Sequence, residues 1–256
     1  MYREYLPWHI KDTQRQVTIK NRANKKILDE KITLLNWNVH KNNHSLEWLQ
    51  DFSKILNSYD PSIILFQEYQ KMNHQSILDK RDEYGYGFFP NFMWKDNLYG
   101  LINAAKGDII DYNAYTTKEV EPIIKTPKIT LQTKYTLQNA KSLYVTNVHM
   151  INFVKIKKFL KQIEQIEELS LSCDDAMILC GDFNTWNKKR MTILEKLISK
   201  CGFEAVKFED NKHLKQPFPF PLDHVFFKGL TFKNSQVIHE INSSDHKPML
   251  IEFLAK

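Results

Sequence analysis

The chain of 256 residues carries a formal charge of +6, with 42% hydrophobic and 26% charged residues, a balance that excludes an intrinsically disordered or low-complexity protein. Its longest apolar runs, SIILF and AMILC, fall well short of the ~20 residues of a membrane-spanning helix. The charged start MYREYLPWHIKDTQRQ lacks the apolar centre of a Sec signal, so a cytoplasmic location is expected.

The basic residues are spread along the chain instead of forming one block. They admit an anionic partner such as nucleic acid, phosphoinositide or a membrane surface, and a Lys-, Asn- and Ile-rich genome accounts for them equally well. The three cysteines, Cys173, Cys180 and Cys201, are odd in number and have no metal-type spacing, which points to buried free thiols in a reducing compartment.

Residues 1–31 lack periodicity and read as an N-terminal extension packed on a single domain spanning 32–256, with no linker-like stretch inside it. KITLLNWNV is a strand. SLEWLQDFSKILNS follows as a helix with Leu46, Leu49, Phe52, Ile55 and Leu56 on its inner face. Asp60-Pro61 breaks that helix and SIILF runs as a buried strand up to Gln67-Glu68. The aromatic stretch from Tyr84 to about Lys134, with its Gly and Pro punctuation, predicts short antiparallel strands.

SLYVTNVHM is the next strand. It leads into a long amphipathic helix that turns Phe153, Ile156, Phe159, Leu160, Ile163 and Ile166 inward. AMILCGDFN repeats the design of an apolar strand with a polar end, and KKRMTILEKLISKCG is a helix stopped by Gly202. LDHVFFKGL, KNSQVI and PMLIEF are the last strand candidates, preceded by a Pro- and Phe-rich loop, QPFPFPLD.

The polar residues fall at the ends of these strands. Four apolar strands end in Asn38 and His40, in Glu68, in Asn147 and His149, and in Asp182 and Asn184, while later segments add Asp223, Asp245 and His246. One such residue is ordinarily a turn former or a satisfied structural group. Strands of a layered sheet, however, deliver their ends to a common rim, and six polar ends on one rim describe a site.

The ordered set NWNVHK, ILFQE, TNVHM, CGDFNTW, LDHVFF and SSDHKPML resembles the endonuclease/exonuclease/phosphatase superfamily, DNase I-like in type. The match runs from about Leu35 to the C-terminus, and its finer texture is similar to a bacterial branch of small members. The resemblance implies an α/β (α+β) four-layered sandwich: two mixed β-sheets packed face to face with helices outside. It also implies a Mg2+ cofactor, with Mn2+ as a substitute, held by Glu68 with Asn38 beside it and Asp245 in support.

By the same resemblance Asp182 and His246 orient or deprotonate the attacking water, Asp223 fixes His246, Asn184 binds a phosphate oxygen, and His149 matches the acid on the leaving-group side, the sequence leaving open which histidine is acid and which is base. Hard oxygen donors of this kind suit Mg2+, and zinc is disfavoured because no cysteine stands among the strand ends. Gly181 would permit a tight strand exit and Phe183 would anchor the loop.

The expected partner is a phosphodiester substrate, nucleic acid ahead of phospholipid, acted on by a monomer. Three departures bear on the substrate. Gln70 replaces the basic residue that nucleases often carry two positions after the metal-binding Glu, His40 stands where AP endonucleases carry an acid, and no 5-phosphatase clamp is evident around GDFNTWNKKR. Lys188, Lys189 and Arg190 are either phosphate contacts or a solvated helix start.

A phosphoinositide phosphatase or sphingomyelinase-like hydrolase is the alternative, with Phe88, Phe89, Trp94, Phe218 and Phe220 as apolar loop contacts. A catalytically silent binding module is disfavoured, since none of the expected positions is substituted.

Overall fold

In chain order the computed structural model, which describes residues 16–21, 23–72, 75–122, 125–209 and 220–256, runs β1 (Thr18–Lys20), β2 (Lys31–Asn38), α1 (Leu46–Tyr59), β3 (Ile63–Lys71), β4 (Gly85–Trp94), β5 (Asn97–Ala105), β6 (Asp111–Thr116) and β7 (Ile129–Thr136). It continues with β8 (Ser142–His149), α2 (Ile156–Leu171), β9 (Ala176–Asp182), α3 (Lys188–Lys200), β10 (Glu204–Ala205), β11 (Asp223–Lys228), β12 (Leu230–Val237) and β13 (Met249–Ala255).

The strands form a seven-stranded sheet in the order β1-β4-β5-β3-β2-β13-β12 and a six-stranded sheet in the order β10-β11-β9-β8-β7-β6. Both sheets are mixed. The β2–β3 and β8–β9 pairs are parallel, each bridged by a helix, and the remaining pairs are antiparallel.

Apolar side chains from the facing sides of the two sheets, among them Leu34, Leu65, Val145, Ile178, Val225 and Ile251, make one central core. The outer face of the first sheet is covered by Trp48, Phe52 and Ile55 of α1. Phe159, Ile163 and Ile166 of α2, with Leu194 and Leu197 of α3, cover the outer face of the second. These are the four layers of a DNase I-like sandwich. β1 pairs with the edge strand β4, and Leu28 is buried in the central core.

Two helical faces differ from the periodicity reading. Leu46 is 72% exposed and Trp48 takes its place, because the indole stacks on Trp37 with centroids 5.3 Å apart. Phe153 lies ahead of α2 and is 67% exposed, and Leu160 is exposed as well. In α2 the inward positions include Gln162, whose amide oxygen accepts from the Ile151 N–H while its Nε2 donates to the His149 carbonyl.

Beneath the site the two sheets are joined by amides. Asn147 donates to the carbonyls of Phe66 and Ile102 and accepts from Gln67 Nε2, which also donates to Asn36. Asn147 is therefore a tie between sheets, and not a residue of the reactive rim.

Candidate active site

Strand register brings the polar ends together. On β8, β9 and β11 the residues His149, Asp182 and Asp223 lie side by side, since Asp182 is the register partner of both others. In the other sheet Asn38 pairs with Gln67, the neighbour of Glu68.

Glu68 sits at a bulge. The β3–β5 register shifts between Phe66 and Tyr69, and Glu68 has a left-handed φ of 53°, a conformation a non-glycine residue adopts only where its surroundings impose it. Gly100 is required opposite, because a Cβ there would stand 2.0 Å from the Phe89 carbonyl oxygen. Gly181 also has a different role from a strand exit. It lies inside β9, and its φ of 138° brings the place of a Cβ within 2.1 Å of the Val148 carbonyl oxygen, so close approach of β8 is what excludes a side chain.

His246 is fixed by its loop. The Ser244 hydroxyl donates to the Asn38 carbonyl and Trp37 Nε1 to the His246 carbonyl, tying the β12–β13 connection to the end of β2. His246 Nδ1 lies 2.6 Å from Asp223 Oδ2. Its Nε2 is 3.9 Å from Asp182 Oδ2 and 3.9 Å from Asp245 Oδ1. Asp182 accepts from Asn38 Nδ2 at 3.1 Å and from the Asn184 N–H at 3.0 Å, with His149 Nε2 at 3.7 Å. Burial pushes its carboxyl up to about 7, with His246 pulling the other way and Asp223 adding to the rise.

A cavity of about 340 Å3 opens over this row and is lined by Lys41, Glu68, Lys128, His149, Asp182, Asn184 and His246, with Phe92 and Phe153 at its walls. Thus five of the eight residues read from the sequence (Glu68, His149, Asp182, Asn184 and His246) line one cavity, and Asn38 and Asp223 stand directly behind Asp182 and His246. Asp245 is placed differently. Its carboxylate pairs with His40 Nδ1 at 2.7 Å and borders a second recess with Asn42, Ser243 and Ser244, with His246 Nε2 of the main cavity 3.9 Å away.

The cavity carries two cations that the sequence reading missed. Lys41 Nζ binds the Glu68 carboxylate, and Lys128, 7% exposed, places Nζ 2.9 Å from His149 Nε2 and 3.5 Å from Glu121 Oε1. Burial alone would raise the Glu68 pKa, but His149, Lys128 and Lys41 together outweigh it and hold the carboxyl well below the ordinary range.

Burial and the Lys128 charge likewise hold His149 well below the usual imidazole value. Its Nε2 lies within hydrogen-bond distance of Lys128 Nζ, so the histidine expected as the acid shares its side of the cavity with a cation. Position 70 carries Gln, and the cavity draws positive charge from positions 41 and 128. Lys41 closes the motif NWNVHK without having been singled out, and Lys128 stands between a proline and a strand, where spacing gives no signal. Glu121 lies in an irregular stretch and was equally hidden.

Other expectations are corrected here. Arg190 is 1% exposed and donates to the Ile151 and Asn184 carbonyls, so it is a buried brace of the loop, while Lys188 and Lys189 are exposed. Phe88 and Phe89 are buried, Phe220 is half-buried, and Phe218 lies outside the described residues. Cys173 is only half-buried. Among the described residues no helix is long and apolar enough to cross a membrane.

Comparison with known proteins agrees with this fold. Residues 35–246 match the profile of the Endonuclease/Exonuclease/phosphatase family. A UPF0294 protein of Vibrio parahaemolyticus is 32% identical, the match covering 89% of this chain and 80% of the relative. The fold superposes on an endonuclease/exonuclease/phosphatase from Beutenbergia cavernae with a TM-score of 0.67 at 11% identity, covering 88% of this chain and 72% of that one. It also superposes on D. rerio TDP2 complexed with single strand DNA product, with a TM-score of 0.60 at 17% identity, covering 87% and 98%.

Proposed function

Because this chain belongs to the endonuclease/exonuclease/phosphatase family, we propose that its cavity hydrolyses phosphodiester bonds of nucleic acid with Mg2+, or Mn2+ in its place, as cofactor. The observation that carries the reading is the His246 imidazole, fixed by Asp223 at 2.6 Å and turned toward Asp182 in the cavity that also holds Glu68, Lys41 and Lys128.

The donors fit a hard divalent cation. Glu68 is ionised and lines the cavity, Asp182 adds a second carboxylate there, and Asn38 has an amide oxygen, which also accepts from the His40 N–H, while its Nδ2 donates to Asp182. Among the described residues a group of three possible metal-binding side chains, Asp182, Asp223 and His246, converges as well. Asp223 and His246 are engaged with each other, which leaves Glu68 and Asn38 as the residues that would hold the ion, with Asp182 beside them. When bound, such an ion supplies positive charge to the phosphate oxygens and the leaving oxygen.

The chain's own groups divide the remaining work. His246 Nε2 takes the proton of the attacking water while Nδ1–H stays bonded to Asp223, whose charge stabilises the imidazolium. Asp182 orients that water. The water oxygen bonds to phosphorus, the bond to the leaving oxygen breaks, and that oxygen takes up a proton on the side where Lys128 presents one. Asn184, held left-handed at φ 51°, faces the phosphate, and TDP2 of D. rerio holds a single strand DNA product on this same fold.

The test sets plasmid and oligonucleotide cleavage beside phosphoinositide phosphate release and hydrolysis of a p-nitrophenyl phosphodiester, each with Mg2+ and with EDTA. Nucleic acid cleavage that needs Mg2+ and is lost in Glu68→Gln supports the reading. Cleavage undiminished by EDTA refutes the cofactor. Phosphate release from phosphoinositide with nucleic acid left intact overturns the substrate in favour of the headgroup hydrolase, and inertness on all substrates returns the silent module.

A further inference from the structure

The mechanism leaves Phe153 unused, although the fold invests heavily in its position. The ring is 67% exposed, lines the mouth of the cavity and stands on a left-handed backbone at φ 52°. An exposed phenylalanine gains nothing from burial, and a positive φ strains a non-glycine residue. Both are tolerated because the loop is pinned from every side.

Asn152 N–H donates to Glu121 Oε1 at 3.0 Å, and Asn152 Oδ1 accepts from the Phe153 N–H at 2.8 Å and from Trp186 Nε1 at 2.8 Å. Arg190 donates to the Ile151 carbonyl at 3.0 Å. The rings continue the brace: Phe153 lies 6.5 Å from Trp186, and the Arg190 guanidinium stands 5.3 Å from the Trp186 centroid and 4.6 Å from the Phe159 centroid. This column holds the Phe153 ring from behind and leaves its outer side to the cavity mouth.

Another wall of the cavity carries Phe92, stacked on Tyr99 at 4.6 Å with ring planes 2° apart. The lining also includes Asn91 and Lys128, an amide and a cation. A group that fits is flat, apolar on its faces, polar at its edge and attached to a phosphate.

We propose that Phe153 is a stacking platform for a nucleobase next to the scissile phosphate, so that the cavity prefers an unpaired strand over a duplex, whose base faces are already covered. The proposal rests on the phosphodiesterase reading. A lipid surface fits less well, since insertion calls for several apolar side chains projecting together. Of the exposed large apolar side chains among the described residues, Phe153 alone lines this cavity.

The test measures fluorescence anisotropy of full-length protein in Mg2+, carrying His246→Ala to halt turnover. The probes are a short oligothymidylate, an abasic strand of equal length with the same phosphates, and a duplex of that length. The oligothymidylate should bind roughly tenfold more tightly than the abasic strand, the scale of one stacked base, and more tightly than the duplex. Adding Phe153→Ala or Phe153→Leu should collapse the ratio of thymidylate to abasic affinity, and Phe153→Trp should keep it.

Equal affinity for both strands, no binding to either, or a ratio kept by Phe153→Leu overturns the proposal. So does a Phe153→Ala effect confined to binding of anionic phospholipid vesicles. The two readings fail separately: a wild-type protein that cleaves no nucleic acid defeats the phosphodiesterase reading, whereas one that cleaves thymidylate and abasic strands with the same KM defeats only the stacking.

Discussion

Asn147 Nδ2 donates to the Phe66 carbonyl at 3.1 Å, across the space between the two sheets. Phe66 is the last residue of β3 before the bulge that extrudes Glu68, and the same amide group serves Ile102, its register partner on β5. The bulge is thus secured from the opposite sheet, which couples the core to the carboxylate at the rim.

Asn147→Leu keeps most of the volume but leaves the Phe66 and Ile102 carbonyls and one Gln67 bond without a partner. Denaturant unfolding should show a loss of about 3 kcal/mol, since buried unpaired polar groups cost ~1–3 kcal/mol each and share the relaxation. Activity measured well below the melting range should also fall, through Glu68. A loss under about 1 kcal/mol would mean that the bulge is held by other contacts.

Asp223→Asn leaves the His246 imidazole in place and removes the charge that stabilises its protonated form. Turnover should fall by less than in His246→Ala, where a positioned acid or base contributes roughly 10²-fold or more. If the two act as one unit, the double variant should be no slower than His246→Ala alone. Additive losses would assign Asp223 a separate task, metal binding being the simplest.

The layers and the rim were legible because they rest on local patterns. Alternation and polar punctuation singled out Glu68, Asp182 and His246; strand register then set Asp182 beside His149 and Asp223, while the bulge in β3 and the β12–β13 connection delivered Glu68 and His246. Residues whose role depends on a partner far along the chain were not legible. Lys128 meets His149 and Glu121 only after folding, and Asn147 has the look of a rim residue until the opposite sheet is in place. Phe153 has helical spacing with Ile156 and Ile163, yet the left-handed backbone before α2 turns it outward. Arg190 reads as a solvated helix start because spacing cannot show the carbonyls it reaches.

Those carbonyls make Arg190 a stability residue. It donates to Ile151 and Asn184, and burial lowers its pKa to about 10. Arg190→Lys retains charge but not the planar fork or the stacking on Trp186 and Phe159. Thermal and denaturant unfolding should show a loss of about 2 kcal/mol or more, and KM should rise because Asn184 and Phe153 both hang from this brace. An unchanged melting temperature would refute the assignment.

Asp182 gives the opposite sign. Its folded-state pKa is raised from 3.8 to about 7 by burial and by Asp223, so the folded protein binds this proton more tightly than the unfolded chain does. The stabilising contribution is fully present below the unfolded value and is lost as pH rises through the folded one. In EDTA, where no metal offsets the charge, Asp182→Asn should therefore be more stable than wild type above about pH 7, by an amount on the order of 2 kcal/mol. That advantage should shrink steadily as pH falls toward 4. Activity should move the other way, down by roughly 10²-fold or more, because the carboxylate that strains the fold is the one that orients the water. Unfolding curves of both proteins across this pH range decide it: a stability difference that does not vary with pH would place the Asp182 carboxyl in the ordinary range and remove the trade-off.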